Sequence, residues 1–220
     1  FQIDEIDKLN IKTDSSLPLI LESQKRKNKN FYFLPCSLTF KNNLVYAQAR
    51  EISFKNNKLK NYVIGNPKQV RVDNFNYVFI RQDPPYNMEY ISSMHLLEQV
   101  KGPTKFINHP NGIRNAPEKI SMLSYKEIIP PTVITREKKE INDFIKQNGK
   151  CVIKPLYGNG GESIFLLDKQ DENYNQIIER FIDQLKEPFI IQKFLPEIKH
   201  GDKRIILVNG EPIAALRRIP

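Results

Sequence analysis

The chain has 220 residues, enough for two modest domains whose cores hold without disulfide staples. Hydrophobic residues make up 40% and charged residues 27%, and no apolar run approaches the length that spans a bilayer, which argues for an ordinary globular protein and against a membrane protein. The formal charge of +9 raises the question of a nucleic-acid partner, but the lysines are scattered through sequence rich in Asn and Ile, so nucleic acid is a weak candidate.

In chain order, the opening Phe1-Gln2-Ile3-Asp4 carries no basic-then-apolar leader, so a cytoplasmic protein is expected. Residues 17–27, "LPLILESQKRK", have a helical apolar pattern after the capping types Asp14-Ser15-Ser16, and the basic run Lys25 to Lys29 reads as the solvated end of that helix. Residues 31–40, 44–54 and 61–65 read as strands separated by Asn/Lys turns. Cys36 and Cys151 both lie in apolar, strand-like settings, which predicts two buried thiols rather than a disulfide.

"YVFIRQDPP", residues 77–85, reads as a buried strand running out into polar residues and a double proline. A helix is predicted over 87–101, stopped by Gly102-Pro103, then a strand at "KFINHP" and a turn at Asn111-Gly112. This alternation predicts an α/β first domain with a largely parallel sheet over residues 1–115. Beyond it, "APEKISMLSYKEI" looks helical, "IPPTVIT" extended, and "REKKEINDFIKQNG" is a charged helix ended by Gly149. The strands "KCVIKPL" and "SIFLLDK" flank a glycine cluster; a helix over 172–185, the strand "PFIIQKFLP" and a hairpin turning at Asn209-Gly210 complete the chain.

The glycine cluster Gly158-Asn159-Gly160-Gly161 is not a Walker A loop, since GxxxxGK[ST] is absent, and it is not a dinucleotide fingerprint, since a strand rather than a helix follows it. Strand, glycine loop and strand, with Lys154 ahead of the loop, fits two readings: a plain hairpin turn, or a flexible loop whose bare backbone N–H groups approach phosphate oxygens. The apolar strand ending in Gln192-Lys193-Phe194-Leu195 and the polar trio Asp202, Lys203 and Arg204 add weight to the second. His95 and His109 read as packing or loop residues and His200 as exposed, so none is a metal-ligand candidate.

Taken in order, "EK" at 118–119, "VIKPLYGNGGESIF" and "IIQKFLPEIKHGDKRIILVNGEPIAALRRIP", with "LNIKTDSSLPLILESQKR" and "FIRQDPPYNMEYISSMHLLE" in the first half, resemble bacterial-type glutathione synthetase of the ATP-grasp superfamily. The resemblance implies a Rossmann-like preATP-grasp substrate domain over 1–115, an ATP-grasp lid over 116–197 and the start of a second ATP-grasp subdomain over 198–220. It implies ATP-phosphate roles for Lys119 and Lys154, a phosphate-covering loop formed by Tyr157, Gly158, Asn159, Gly160, Gly161 and Ser163, and adenine contact by Gln192, Lys193, Phe194 and Leu195. Asp202 takes a ribose or network position, Arg204 and Arg218 are catalytic arginines, and Ser15, Arg81 and Asp83 serve the peptide substrate.

The implied activity is ligation of γ-glutamylcysteine and glycine through an acyl phosphate, with ATP and magnesium, manganese being an alternative metal. The implied partners are those small molecules and further copies of the chain in a homo-oligomer. The resemblance places the magnesium ligands beyond Pro220, so no metal ligand is assigned here and the 220-residue chain alone is expected to be inactive. Two other readings stay open: an ATP-grasp ligase of other substrates, and a non-catalytic nucleotide- or RNA-binding module. The plain alternatives are a surface lysine for Lys119, an exposed ion pair for Asp202 and Arg204, and a sheet-edge pair for Arg81 and Asp83.

Overall fold

The computed structural model describes residues 1–158 and 160–219. Among them the chain forms two compact units, one of residues 1–121 together with Tyr157 and Gly158, the other of residues 122–156 and 160–219.

In the first unit a parallel row sets the frame. Gln2 bridges Phe33 on one side and Ile80 on the other, and strand β6 (Tyr77–Phe79) pairs in parallel with β7 (Lys105–Ile107). Backbone bonds tie the row together: Ile3 N–H donates to Phe33 O at 3.2 Å, Arg81 N–H to Gln2 O at 2.8 Å and Ile80 N–H to Ile107 O at 2.8 Å. The pairing in this row is parallel, as the sequence led us to expect, whereas the larger sheet of the unit is antiparallel.

Beside it lies an antiparallel sheet built on the long strand β3 (Leu44–Phe54), which pairs with β1 (Asn30–Tyr32), β2 (Thr39–Lys41), β4 (Tyr62–Ile64) and β5 (Lys68–Arg71). Burial along β3 alternates at Val45, Ala47 and Ala49, passes two exposed residues in succession, Arg50 and Glu51, and resumes at Ile52 and Phe54. That phase change swaps the buried face. Val45 to Ala49 therefore join the core of Phe33, Val78, Met94 and Leu97, whereas Ile52 and Phe54 join Ile3, Leu17, Ile20 and Tyr32.

Helix α1 (Ser16–Lys25) buries Leu17, Ile20 and Leu21, the three-four spacing read from the sequence. Its first turn is capped by Asp14, whose Oδ1 accepts from Leu17 N–H at 2.9 Å. Helix α2 (Met88–Leu97) is capped by Asn87 and buries Ser93, Met94 and Leu97.

Three expectations are corrected here. The strand expected over 31–40 is broken by a 3-10 turn at Pro35–Ser37, because proline's missing N–H ends the ladder, and Cys36 on that turn is exposed rather than buried. The turn expected at Asn111-Gly112 is instead a short helix, α3 (Pro110–Asn115), with Pro110 in its favoured first position. The helix expected over 116–128 is reduced to α4 (Glu118–Ser121) and a 3-10 turn.

The second unit is a four-stranded antiparallel sheet in the order β10 (Phe165–Leu167), β9 (Cys151–Pro155), β11 (Phe189–Lys193), β8 (Thr132–Thr135). Helices α5 (Lys138–Asn148) and α6 (Tyr174–Gln184) pack Ile141, Ile145, Ile178 and Phe181 on Cys151, Ile153, Leu167, Phe189 and Ile191 of the sheet. The predicted hairpin is β12 (Asp202–Val208) with β13 (Glu211–Arg218), turning at Asn209-Gly210, and apart from the half-buried Asp202 its residues are exposed. Among the described residues no helix is long and apolar enough to cross a membrane.

Candidate active site

Strand β9 carries Lys154 and runs beside β11, which carries Gln192; both strands are pinned by ladder bonds on each side. Lys154 Nζ donates to Gln192 Oε1 at 2.9 Å, and Gln192 Nε2 donates to Thr132 Oγ1 on β8 at 2.8 Å. Gln192 is buried, so this chain fixes an ammonium group across three strands through an amide that cannot easily relax. Thr132 was not singled out by the sequence; its signal is only the β-branched run "TVIT".

The next residues after Gln192 have their backbone donors committed: Lys193 N–H to Pro131 O and Phe194 N–H to Lys150 O, each at 2.9 Å. The Leu195 side chain is exposed.

The glycine loop leaves β9 at Pro155. Gly160 and Gly161 take φ of +63° and +80°, which glycine adopts without cost, and a Cβ at either would meet nothing within 4 Å. Ser163 also has positive φ and is exposed. Asn159 lies outside the described residues. Lys119 Nζ donates to Gly158 O at 2.7 Å, and burial pushes its ammonium below the ordinary lysine value. Tyr157 stacks on Tyr86, ring centroids 5.9 Å apart; Tyr86, directly after the RQDPP stretch, is a contact the sequence did not suggest.

On the hairpin, Asp202 and Arg218 face each other across the two strands and form a two-point ion pair, with Arg218 Nε donating to Asp202 Oδ1 at 2.7 Å. The sequence suggested Arg204 as the ion-pair partner of Asp202. In the structure that partner is Arg218, because antiparallel register sets these two opposite each other, while Arg204 lies opposite Leu216. The guanidinium holds the Asp202 carboxyl below its ordinary range. Gly201 makes the hairpin base possible: at φ +84° a Cβ would come within 2.0 Å of Arg218 O.

In the first unit Arg81 Nη2 donates to Ser15 Oγ at 2.6 Å and its Nε to Ser16 Oγ at 3.4 Å. Asp83 is not the partner of Arg81; its backbone N–H donates to Asp4 Oδ2 at 2.7 Å. Burial, then the carboxylates of Asp4 and Asp14, raise the Asp83 carboxyl above its ordinary value. Ser15, Arg81 and Asp83 are thus gathered at the carboxyl edge of the parallel row, where ligands of open α/β sheets bind.

Residues 1–114 match the family described as prokaryotic glutathione synthetase, N-terminal domain, and residues 118–220 match prokaryotic glutathione synthetase, ATP-grasp domain. The chain belongs to the prokaryotic glutathione synthetase family. Curated glutathione synthetases of Rhodopseudomonas palustris and Bradyrhizobium diazoefficiens are 42% and 41% identical to it over 219 residues, all of this chain and 70% of each relative. The fold is that of ATP-grasp ligases. The ligase PsnB, solved with a phosphomimetic variant of its minimal precursor, Mg and ADP, superposes with TM-score 0.59 at 16% identity over 98% of this chain and 70% of PsnB. A RimK domain ATP-grasp protein from Sphaerobacter thermophilus gives 0.58 at 16% identity over 93% of this chain and 68% of its own. The protein is accordingly an ATP-dependent carboxylate–amine ligase of glutathione biosynthesis, a class that works on ATP with magnesium.

Within the second unit the donors fit a nucleotide: Lys154, glycines open to close approach and a strand end beside apolar residues. Among the described residues no three His, Cys, Asp or Glu side chains converge.

Proposed function

We propose that Lys154, held by Gln192, binds the phosphates of ATP while Tyr157, Gly158, Asn159, Gly160, Gly161 and Ser163 cover them, and that Lys119 is the second phosphate lysine. The Lys154–Gln192–Thr132 chain carries this reading, since a buried amide that orients an ammonium group is a preorganised cation rather than a solvated surface charge. Adenine lies against Lys193, Phe194 and Leu195. With the N–H groups of Lys193 and Phe194 already spent, its edge is read by carbonyl oxygens and the Leu195 N–H.

A carboxylate cannot lose oxide to an attacking amine. Transfer of the γ-phosphoryl group of ATP to the carboxylate of γ-glutamylcysteine gives an acyl phosphate; the glycine amine adds, and phosphate leaves as the amide forms. The chain's part is electrostatic: Lys119 and Lys154 offset charge on the transferring group, and Arg204 and Arg218 do so at the acyl centre. The glycine loop excludes water that would hydrolyse the acyl phosphate. Ser15, Arg81 and Asp83 hold the dipeptide, and Asp202 positions Arg218 through their ion pair.

In this reading residues 1–115 are the substrate domain, 116–197 the lid, and 198–220 the beginning of the second ATP-grasp subdomain. The protein works in the cytoplasm as a homo-oligomer, with manganese able to replace magnesium. The test is ADP release by the full-length protein given ATP, magnesium and γ-glutamylcysteine, with and without glycine. Glycine-dependent release with glutathione formed is expected; release driven by another acceptor amine would assign a different ligase, and salt-sensitive RNA binding without ADP release would assign the non-catalytic module.

A further inference from the structure

A loop of glycines is hard to hold in one place, because each glycine gives up more backbone freedom than any other residue. Between Leu156 and Glu162 the loop carries one large side chain, Tyr157, and that ring stacks on Tyr86 with the centroids 5.9 Å apart and the planes 21° from parallel. Tyr157 and Gly158 are part of the first compact unit, not of the sheet from which β9 leads into them. A second hold lies one residue on, where Gly158 O accepts from Lys119 Nζ at 2.7 Å.

Tyr86 is itself fixed from three directions. Its ring packs against Tyr90 at 5.4 Å, and the first turn of α2, which carries Tyr90, is closed by Asn87 Oδ1 accepting from Tyr90 N–H at 3.0 Å. Its hydroxyl donates to Arg114 O on α3, and α3 is tied to the end of α2 by Arg114 Nε donating to Glu98 Oε1 at 2.8 Å. Its main chain continues the segment that carries Arg81 and Asp83. With the hydroxyl spent on Arg114, what Tyr86 presents to Tyr157 is a ring face, so a rigid aromatic platform meets the root of a soft loop.

We propose that Tyr86 is a positioning residue of the ligase: its ring seats Tyr157, and with it the first turn of the glycine loop, in the place from which the loop keeps water off the acyl phosphate. The inference rests on the reading of residues 157–163 as the phosphate cover. An aromatic pair shifts the balance between seated and unseated loop by about three- to tenfold. An unseated loop lets water add to the acyl carbon; the bond to the phosphate oxygen breaks, and carboxylate, phosphate and a proton are returned, with ADP formed and no glutathione made.

The experiment compares the full-length parent with Tyr86→Ala, Tyr86→Phe and Tyr157→Ala, the last removing the same stack from the loop side, where the tyrosine is 38% exposed. One readout is ADP released per glutathione formed, together with ADP release when glycine is withheld. The other is the rate at which chymotrypsin cuts after Tyr157, relative to its cuts elsewhere, since a seated ring cannot enter the protease pocket. Both alanine variants should raise glycine-free ADP release and the cut after Tyr157 about three- to tenfold, Tyr86→Phe should stay near the parent, and the double alanine variant should be no worse than either single one. A fall in turnover with an unchanged ratio of ADP to glutathione would make Tyr86 merely structural and overturn the proposal, as would a double variant whose effects multiply. A parent that forms no glutathione but keeps the Tyr86-dependent cut sinks the assigned reaction and leaves the seat standing; a parent that forms glutathione while Tyr86→Ala matches it in both readouts sinks the seat alone.

Discussion

Replacing Lys154 by methionine keeps the aliphatic stem packed on β9 and removes only the ammonium group, so its effect divides into two measurable parts. The first is stability. Gln192 is 8% exposed and its Oε1 accepts from Lys154 Nζ at 2.9 Å; a buried acceptor deprived of a donor costs about 1–3 kcal/mol. The second is catalysis: loss of one preorganised electrostatic group costs on the order of 10²–10³ in kcat. Gln192→Leu separates them. It retains the lysine charge but removes its anchor and the bond to Thr132 Oγ1, so the expected loss is in KM for ATP, about tenfold, with kcat much less affected. The double variant Lys154→Met, Gln192→Leu removes both ends of the buried bond and should regain part of the stability lost in Lys154→Met alone. Urea unfolding gives the stabilities, and ADP release by the full-length protein gives the kinetics. Turnover by Lys154→Met within about threefold of the parent, at saturating ATP, would refute the assignment of that ammonium to the phosphates.

Gly201→Ala forces a Cβ within 2.0 Å of Arg218 O at a φ of +84°, so the base of the hairpin must shift; a loss of about 1–3 kcal/mol is expected, read by urea unfolding, and Gly210→Ala, with nothing within 4 Å, should cost less. Asp83 has a raised folded pKa, so its contribution to stability is fully present below the unfolded carboxyl value and is lost as pH rises through the folded one; Asp83→Asn should therefore unfold at higher temperature than the parent at neutral pH while binding γ-glutamylcysteine less tightly. Asp202 runs the other way: its depressed pKa gives a contribution present above the unfolded value and lost as pH falls through the folded one, so Asp202→Asn should flatten the acid limb of the stability profile. A thiol reagent at pH 8 should label exposed Cys36 and spare Cys151, whose burial pushes its thiol up to about 11; peptide mapping showing Cys151 modified in the native protein would contradict that packing.

The sequence was most legible where local chemistry decides. Leu17, Ile20 and Leu21 follow helical spacing, the Asn209-Gly210 turn fixes the last hairpin, and of the strand expected over 163–169 the part Phe165–Leu167 forms, so a strand rather than a helix follows the glycines. Where two local signals compete, the reading failed. The apolar run over 31–40 suggested one strand, but Pro35 within it breaks the ladder and turns Cys36 outward. At 110–115 the Asn-Gly pair suggested a turn, yet Pro110 at the first helical position prevailed.

Pairing between distant residues was the part no local signal could give. Arg81 two positions from Asp83 invites an ion pair, but Arg81 finds its partner 66 residues away at Ser15, and the Asp83 N–H turns to Asp4. Asp202 beside Arg204 invites the same error, and the strand register awards Asp202 to Arg218 instead. In the hairpin the residue opposite Asp202 in register lies within hydrogen-bond distance of it, and the partner suggested by the local sequence does not take that place. Between β9 and β11 the contact is diagonal: Lys154 is held by Gln192 although the Cα register pairs Lys154 with Ile190. A lysine stem reaches the diagonal neighbour two positions along, so the partner of a strand lysine is to be sought on that diagonal, and the length of the side chain decides whether it is reached.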